Sequence, residues 1–510
     1  PNGTLGGVRG SDDTYSIHRK EPIMHCFPTY EDAKRYAALG FDTMPVAASI
    51  LSDFITPMEA LRILKHVSSH VYLLESAKKN GTWGRWSFLG YEPRMEITCI
   101  DHVMHIQDLE LETWDPVIQL RRIMDRHRGP RIHGMPPFAG GLVGWFSYDA
   151  IQYAEPSAKV SVQDPDAFRD LDLMLFDTVI AFDHQRQQIL LIATVDLHCL
   201  DVSWNRAQLQ IAHMKDLLET GTRAEEPVSR LVSDIRPLFD RQAWRNMVQL
   251  AKGHIHDGDI FQIVLSNRLS AEFEGTLLET YRHLRTINPS PYMFYFSGTD
   301  VEVAGASPET LVKLEDGRLS TFPLAGTRKR GATEEEDQVL EAELLADEKE
   351  LAEHDMLVDL GRNDLGRVSR PGSVQVETLH EVQRFSHVMH LASTVTGQIR
   401  TDLDALDAIQ AVLPAGTLSG APKIRACQLI GELEGTKRGI YGGCIGYLDF
   451  SGNMDMCIAI RLVYHKNGQV FVRSGAGIVA DSDPEKEYEE CLNKARSSLS
   501  ALLQAQEDRL

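Results

Sequence analysis

The sequence is poor in cysteine and contains no long apolar run. Its seven cysteines are scattered over 510 residues, odd in number and without a Cys-x-x-Cys pair, which disfavours both a disulfide framework and a thiolate zinc site. No apolar stretch approaches the ~20 residues that a membrane-spanning helix requires. The first four residues, Pro1 to Thr4, show nothing like the apolar segment of a signal peptide. We therefore expect a reduced, cytoplasmic protein with no membrane partner.

Positive charge is also scarce. The chain has 52 Lys and Arg against 73 Asp and Glu, which gives a formal net charge of −21. A uniformly acidic protein repels phosphate backbones, so we expect no nucleic-acid partner. The same charge repels a small anionic substrate unless the binding site provides its own cations.

Strand-like and helix-like patterns alternate along the chain, with a polar break near 218–240 that predicts two regions, 20–225 and 235–505. Strands are predicted over Val71–Leu74, Met95–Ile100, Gln188–Val195, Gln262–Leu269, Tyr292–Phe296, Val301–Ala304, Ile440–Leu448, Met454–Tyr464 and Val470–Ser474. Helices are predicted over Ile118–His127, Ala207–Leu218, Arg241–Ile255, Glu334–Gly361 and Pro484–Gln504. Locally paired strands mixed with helices favour an α+β, layered architecture with large antiparallel sheets and flanking helices.

A glycine-rich segment, Gly475-Ala476-Gly477, follows a predicted strand and superficially resembles a dinucleotide-binding fingerprint. That fingerprint requires a helix to begin directly on the glycines, and here residues 481–484 delay it, so we reject a nucleotide site. Two interpretations remain open: a backbone that a small ligand approaches closely, or a tight turn, which the spacing alone favours.

Two pairs of glutamates have helical spacing. Glu350 and Glu353 are three residues apart, as are Glu487 and Glu490, so each pair lies on one helix face. Two such helices facing each other would offer the oxygen ligands that Mg²⁺ prefers. The alternative, which is the default in so acidic a chain, is that both pairs lie on solvated acidic faces. The apolar residues that flank both pairs argue against it, because a charge beside an apolar face needs a partner.

Nine ordered stretches are typical of one enzyme family. They are GDIFQIVLS (258–266), NPSPYMFYF (288–296), ASPE (306–309), PLAGTRKRG (323–331), EHDMLVDLGRNDLGRV (353–368), HVMHLASTVTG (387–397), PAGTLSGAPK (414–423), YGGCIGYLDF (441–450) and SGAGIVADSDPEKEYEECLNKA (474–495). Through them the chain resembles the chorismate-utilising enzymes, and within these the large components of anthranilate synthases. The resemblance implies tryptophan feedback elements in the region 20–225 and a chorismate-binding catalytic domain in 235–505.

Two positions separate reactions within this family. Relatives that add water to chorismate carry a lysine base where this chain has Gln262, and an amide cannot act as that base. Aminodeoxychorismate synthases carry a nucleophilic lysine where this chain has Ala325. The resemblance therefore implies an enzyme that converts chorismate and ammonia to anthranilate and pyruvate with Mg²⁺, the first step of tryptophan biosynthesis.

The resemblance also assigns residues to roles. Glu309 is implied as the general acid, with His390 near Thr417 for the elimination of pyruvate. Glu353 and Glu490, assisted by Glu350 and Glu487, would hold Mg²⁺. The remaining substrate contacts would come from Gly326, Thr327, Tyr441, Arg461, Gly475, Ala476, Gly477 and Lys494. The tryptophan effector would bind at Glu75, Ser76, Pro291, Tyr292 and Met293. The segment 73–76 taken by itself favours an ordinary strand end, and the other family matches favour the effector site.

Three further expectations complete the sequence analysis. No cysteine has an amidotransferase setting, so ammonia would come from a separate glutamine amidotransferase small subunit in a hetero-oligomer, and the chain alone would need added ammonium at alkaline pH. His387 is expected to be structural, and Arg362-Asn363-Asp364 to form a buried polar network. The alternatives are an aminodeoxyisochorismate or aminodeoxychorismate synthase, or a non-catalytic tryptophan-sensing subunit.

Overall fold

The structure is a computed structural model that describes residues 25–77, 83–384 and 388–507. Its strands are β1 Thr43–Leu51, β2 Val71–Glu75, β3 Trp86–Tyr91, β4 Met95–Ile100, β5 Val103–Ile106, β6 Leu109–Glu112, β7 Gly141–Phe146, β8 Leu171–Phe176, β9 Thr178–Asp183, β10 Gln188–Asp196, β11 Arg230–Leu231, β12 Arg236–Pro237, β13 Gln262–Glu274, β14 Tyr292–Ser297, β15 Val301–Ser307, β16 Thr310–Glu315, β17 Arg318–Thr321, β18 Leu324–Lys329, β19 Gln375–Arg384, β20 Val388–Gln398, β21 Gly420–Ala421, β22 Cys444–Asp449, β23 Met454–Ile458, β24 Leu462–Lys466 and β25 Gln469–Ile478. Its helices are α1 Tyr30–Ala38, α2 Pro57–Val67, α3 Pro116–Asp125, α4 Ile151–Ala154, α5 Leu200–Thr220, α6 Arg241–His256, α7 Leu278–Ile287, α8 Glu334–Ala346, α9 Glu348–Gly366, α10 Ala405–Val412, α11 Lys423–Glu434 and α12 Pro484–Glu507.

Two large antiparallel sheets form the framework, which confirms the predicted α+β class. The first sheet has the order β1-β10-β9-β3-β2-β14-β15-β24-β25-β13-β11, with β12 and β21 also paired to β13. The second has the order β18-β20-β17-β16-β23-β22-β7-β8-β4-β5-β6, with β19 paired to β20. Strands from both halves of the chain share each sheet, because β2 pairs with β14 and β7 with β22.

The core lies where the two sheets meet. Trp145 of β7 packs edge-on against Phe296 of β14, with 5.0 Å between the ring centroids, and both side chains are buried. Within the described ranges, no helix is both long and apolar enough to span a bilayer.

Three predicted elements are wrong in their boundaries. The single helix expected over 334–361 is two helices, because the Asp347 carboxylate accepts hydrogen bonds from the N–H groups of Lys349 and Glu350 and so starts a new helix. The strand expected over 454–464 is interrupted at Arg461, which has a left-handed backbone with φ of +53°. The strand expected from 440 begins only at Cys444.

The glycine-rich segment is not a tight turn. Gly475, Ala476 and Gly477 lie inside β25, paired with residues 264–266 of β13. The closing helix is confirmed, with Asp483 before Pro484 accepting hydrogen bonds from backbone N–H groups of the first turn.

A buried ion triad holds this part of the fold together. Glu434, Arg438 and Arg473 have side chains that are at most 1% exposed. The Glu434 carboxylate accepts hydrogen bonds from both guanidinium groups and from the N–H and hydroxyl of Ser266 in β13. Arg438 also donates to the carbonyl of Leu418 at 2.7 Å. The triad thus ties α11 to β13, to β25 and to the turn at 416–418.

Removing the charge of Glu434 should destabilise the fold strongly. Glu434→Gln leaves two buried guanidinium groups without their counter-ion, and breaking a buried ion pair typically costs about 3–5 kcal/mol. The change is measured as a lower midpoint of urea unfolding followed by circular dichroism. Glu274→Gln is the control, because its pair with Arg230 is solvent-exposed and such pairs contribute little. Equal midpoints for the two variants would contradict the assigned role.

Candidate active site and effector pocket

Glu309 is placed by the strand that it precedes. Its backbone carbonyl accepts a 2.9 Å hydrogen bond from the N–H of Ile458, which fixes it beside the end of β23. Its carboxyl group lies 3.3 Å from the hydroxyl of Thr417. Burial raises the pKa of Glu309 to about 7, although Thr417 and the charge of Lys494 oppose that rise. The structure therefore offers a carboxylic acid that holds its proton near neutral pH.

Arg461 is a half-buried cation. It sits in the left-handed link between β23 and β24, and among the described residues no carboxylate pairs with it. Burial lowers its pKa, which the negative potential of Tyr441 partly offsets. A guanidinium in this state is well suited to bind an anionic ligand, since a buried charge needs a partner.

His390 lies on β20, close enough to Arg461 to be influenced by its charge. Its Nδ1 atom lies 3.0 Å from the hydroxyl of Thr327 and 3.0 Å from the carbonyl of Gly326, both in β18. Burial and the nearby charge of Arg461 lower the pKa of His390, although its bond to Gly326 opposes this. The imidazole is therefore neutral at physiological pH and able to accept a proton.

β25 presents a bare backbone surface to this cleft. A Cβ atom on Gly475 would lie 3.0 Å from the Tyr441 hydroxyl, and one on Gly477 would lie 2.9 Å from the Gln262 amide nitrogen. The side chain of Ala476 points the other way, into the apolar core. The turn interpretation is therefore wrong, and close approach of a ligand to the two glycines stays a prediction.

The four glutamates form one electrostatic cluster. Burial raises the pKa of Glu353, and the charges of Glu350 and Glu490 raise it further. Burial also raises the pKa of Glu487, with Glu490 adding to it. These mutual effects show that carboxylates of α9 and α12 lie close enough to influence one another. The cluster also contains the ammonium of Lys494, 2.7 Å from Glu490.

The four carboxylates do not meet at a single point that could hold a metal ion. In the part of the chain that the structure describes, no three acidic, histidine or cysteine side chains lie close enough to hold a metal ion. Glu350 instead bonds Arg328 at 3.2 Å. The donor set is right for Mg²⁺ in chemical type, since every member is a carboxylate, two on α9 and two on α12.

A second pocket gathers all the predicted effector residues, namely Glu75, Ser76, Pro291, Tyr292 and Met293. Sequence reasoning missed the rest of its wall. The aromatic rings of Trp86, Phe88 and Tyr447 line it, together with Lys313 and Asp455. Burial raises the pKa of Asp455 to about 6. An acid in the middle of the apolar run of β23 was the one sequence signal that could have revealed this residue.

Glu75 is held rigidly in that wall. Its carboxylate accepts hydrogen bonds from Arg285 at 2.6 Å and from the hydroxyl of Tyr281 at 2.7 Å. Met293 lies directly opposite Glu75 in the pairing of β14 with β2. The pocket is therefore built across the junction between the two halves of the chain.

Two structural expectations have different outcomes. His387 lies outside the described residues. The network predicted for 362–364 is wrong in part, because Arg362 and Asn363 are exposed and only Asp364 is substantially buried, bound to Lys423 at 2.9 Å.

Comparison with known proteins identifies the family. The family model of chorismate binding enzymes matches residues 69–500. The chain belongs to this family. It is 42% identical to anthranilate synthase component 1 of Acetivibrio thermocellus over 95% of this chain and all of that one. It is 43% identical to the protein of the same name from Pseudomonas aeruginosa, over 94% and 99% of the two chains.

Solved structures agree with the observed fold of this chorismate-binding enzyme. Anthranilate synthase component I from Streptococcus pneumoniae superposes with a TM-score of 0.74 at 37% identity, covering 88% of this chain and 98% of that one. The menaquinone-specific isochorismate synthase of Escherichia coli has a TM-score of 0.67 at 20% identity, covering 93% and 98%. At 20% identity, the similarity to the isochorismate synthase shows only that the two chains have the same fold.

The two cleft glycines should respond differently to alanine. A Cβ atom on Gly475 meets the carbonyl oxygen of Leu265 at 2.5 Å, so the backbone must shift, whereas on Gly477 it meets only the mobile end of Gln262. We expect Gly475→Ala to cost about 1–3 kcal/mol of stability and to weaken chorismate binding, and Gly477→Ala to leave stability nearly unchanged. Thermal unfolding and calorimetric titration with chorismate measure both effects. Equal losses of stability would contradict this geometry.

Proposed function

We propose that this protein is the chorismate-converting component of an anthranilate synthase, forming anthranilate and pyruvate from chorismate and ammonia. The observation that carries the proposal is the buried acid at Glu309, which holds its proton near neutral pH, in a chain that has an amide at Gln262. An amide cannot activate water as a base, whereas ammonia is a nucleophile without one. The full-length similarity to proteins named anthranilate synthase component 1 supports the same reaction.

Chorismate is a dianion, and the cleft offers separate positions for its two carboxylates. Arg461 binds the carboxylate of the enolpyruvyl arm, assisted by the Tyr441 hydroxyl, while the bare backbone at Gly475 and Gly477 lets the ligand lie close to β25. The ring carboxylate then points towards the acidic cluster, near Gly326 and Thr327. This orientation places the reacting ring between Glu309 and His390.

Proton transfers fall to these two side chains. Glu309 donates its proton to the leaving C4 hydroxyl as ammonia adds to the ring, because hydroxide is a poor leaving group. His390, kept neutral by burial and by Arg461, accepts the ring proton when pyruvate is eliminated. Thr417 holds the Glu309 carboxyl in position for the first step.

We propose Mg²⁺ as the cofactor, held by Glu353 and Glu490 with Glu350 and Glu487 in support. The bound ion would neutralise the ring carboxylate and withdraw electrons from the ring. The cluster suits this role because the carboxylates already repel one another, so a cation between them is stabilised.

Regulation and ammonia supply are part of the same proposal. The effector pocket suits L-tryptophan, since aromatic rings would hold the indole while Lys313 and Asp455 match the charged ends of an amino acid. A glutamine amidotransferase subunit would deliver ammonia, as the designation component 1 of the relatives suggests. A cytoplasmic hetero-oligomer remains our prediction for the complete enzyme.

A single assay tests the proposed function. The purified chain is given chorismate and Mg²⁺ with either ammonium or glutamine, and anthranilate is followed by its fluorescence and pyruvate by a coupled reaction. We expect equal amounts of both products with ammonium, none with glutamine, loss of turnover on metal chelation, and inhibition by tryptophan. A non-aromatic amino product without pyruvate would instead identify an aminodeoxychorismate-type enzyme, and no turnover at all would favour a sensing subunit.

The pH profile tests the role of Glu309. With free ammonia held constant, kcat/KM for chorismate should be highest below the pKa of about 7 and fall as pH rises through it, because the acid loses its proton. Glu309→Gln should reduce turnover by about 10²–10⁴-fold and remove this limb of the profile. Glu274→Gln, a distant exposed control, should leave it in place. A limb that survives in Glu309→Gln would show that another group is the acid.

A further inference from the structure

The effector pocket and the cavity that contains Glu309 share one wall. In β23, Asp455 and Cys457 line the effector pocket, while the next residue, Ile458, lines a cavity that also contains Glu309. In β16, which pairs with β23, Lys313 lines the effector pocket. Thr310 borders the cavity that contains Glu309, but it lies opposite Cys457, so its hydroxyl is on the effector side. Two adjacent strands therefore separate the cavities, with no further layer between them.

A chain of hydrogen bonds joins the effector pocket to this wall. The Tyr292 hydroxyl donates to the Asp455 carboxylate at 2.8 Å and lies 2.8 Å from the Thr310 hydroxyl. Tyrosine has a single hydroxyl proton, which goes to Asp455, so Thr310 donates its own proton to the Tyr292 oxygen. Thr310 and Tyr292 are joined in this way although they belong to different sheets.

Thr310 in turn fixes the backbone of the catalytic acid. It follows Glu309 directly and pairs with Cys457, while the carbonyl of Glu309 accepts the N–H of Ile458. The pairing of β16 with β23 is irregular immediately after Thr310, where a bulge breaks the register. Such a bulge loosens the ladder locally, so the side-chain bond to Tyr292 is a major restraint on this end of the strand.

We propose that Tyr292 and Thr310 are positioning residues for Glu309, and that an aromatic amino acid in the effector pocket acts on Glu309 by drawing the Tyr292 hydroxyl away from Thr310. The proposal rests on the proposed function for the identity of the acid and of the effector. It adds the route by which occupancy of one cavity reaches the other. A shift of Glu309 relative to Thr417 changes both the proton affinity of the acid and its reach to the leaving hydroxyl.

Thr310→Val tests the route, because valine has the shape of threonine without its hydroxyl. Losing one hydrogen bond of this kind corresponds to roughly a three- to tenfold change, so we expect kcat to fall by about that factor while KM for chorismate changes little. The pH limb assigned to Glu309 should move. Tryptophan should still bind, with calorimetry giving a dissociation constant close to that of the wild type, but it should no longer inhibit fully. Thr310→Ser, which keeps the hydroxyl, should restore both the pH limb and the inhibition.

The outcomes separate the two parts of the proposal. Unchanged inhibition and an unchanged pH limb in Thr310→Val, with Thr310→Ser indistinguishable from it, would overturn the route. A wild-type protein that binds no tryptophan would overturn the effector assignment made under the proposed function, whereas the pH limb in Thr310→Val would still decide the positioning role. Thermal unfolding of both variants checks that the fold is intact.

Discussion

The substrate cleft depends on the buried ion triad of Glu434, Arg438 and Arg473. Charges are costly in a protein interior, and they are stable there when an opposite charge and additional hydrogen bonds compensate for the lost water. Arg438 therefore donates to the carbonyls of Leu418 and Val264 as well as to Glu434. Those carbonyls belong to the segments that carry Thr417 and the strand opposite Gly477, so the geometry of the cleft follows from satisfying the triad.

The same principle explains why an acidic protein can bind a dianion. Most of its cations are paired with carboxylates, but Arg461 is set apart in a left-handed link where, among the described residues, no acid reaches it. The acidic residues of the cleft are used differently. Burial keeps Glu309 protonated near neutrality, and mutual repulsion in the Glu353 cluster favours a cation there. The positive charge of the site thus comes from Arg461 and, in the proposal above, from a cation held by the glutamates.

The sequence predicts the strongly periodic elements well, and it is least informative where one residue overrides the pattern. β2, β4, β10 and α6 lie close to their predicted ranges, because apolar periodicity alone decides them. Asp347 divides a helical run by capping a new helix, which no periodicity shows. Arg461 interrupts a predicted strand by its left-handed backbone, and the apolar pattern gives no sign of this either.

The residues of the candidate site were predictable mainly where they belong to family motifs. The family resemblance predicts that Glu309, His390 and Arg461 belong to one site. It does not give the distances between these side chains or their protonation states. Lys313 and Asp455 carry no motif, since their role comes only from the pairing of β16 with β23. Long-range pairing is decided by packing of the whole sheet, and local sequence does not encode it.

That pairing also constrains how regulation can work. Because β16 and β23 carry residues of both cavities, the proposed effect of a ligand in one cavity would reach the other through these two strands. Packed strands cannot deform continuously, but a bulge beside Thr310 provides a place where the register can yield. A ligand need not move a whole domain to reach Glu309, since the wall that it presses against is the one that holds the acid.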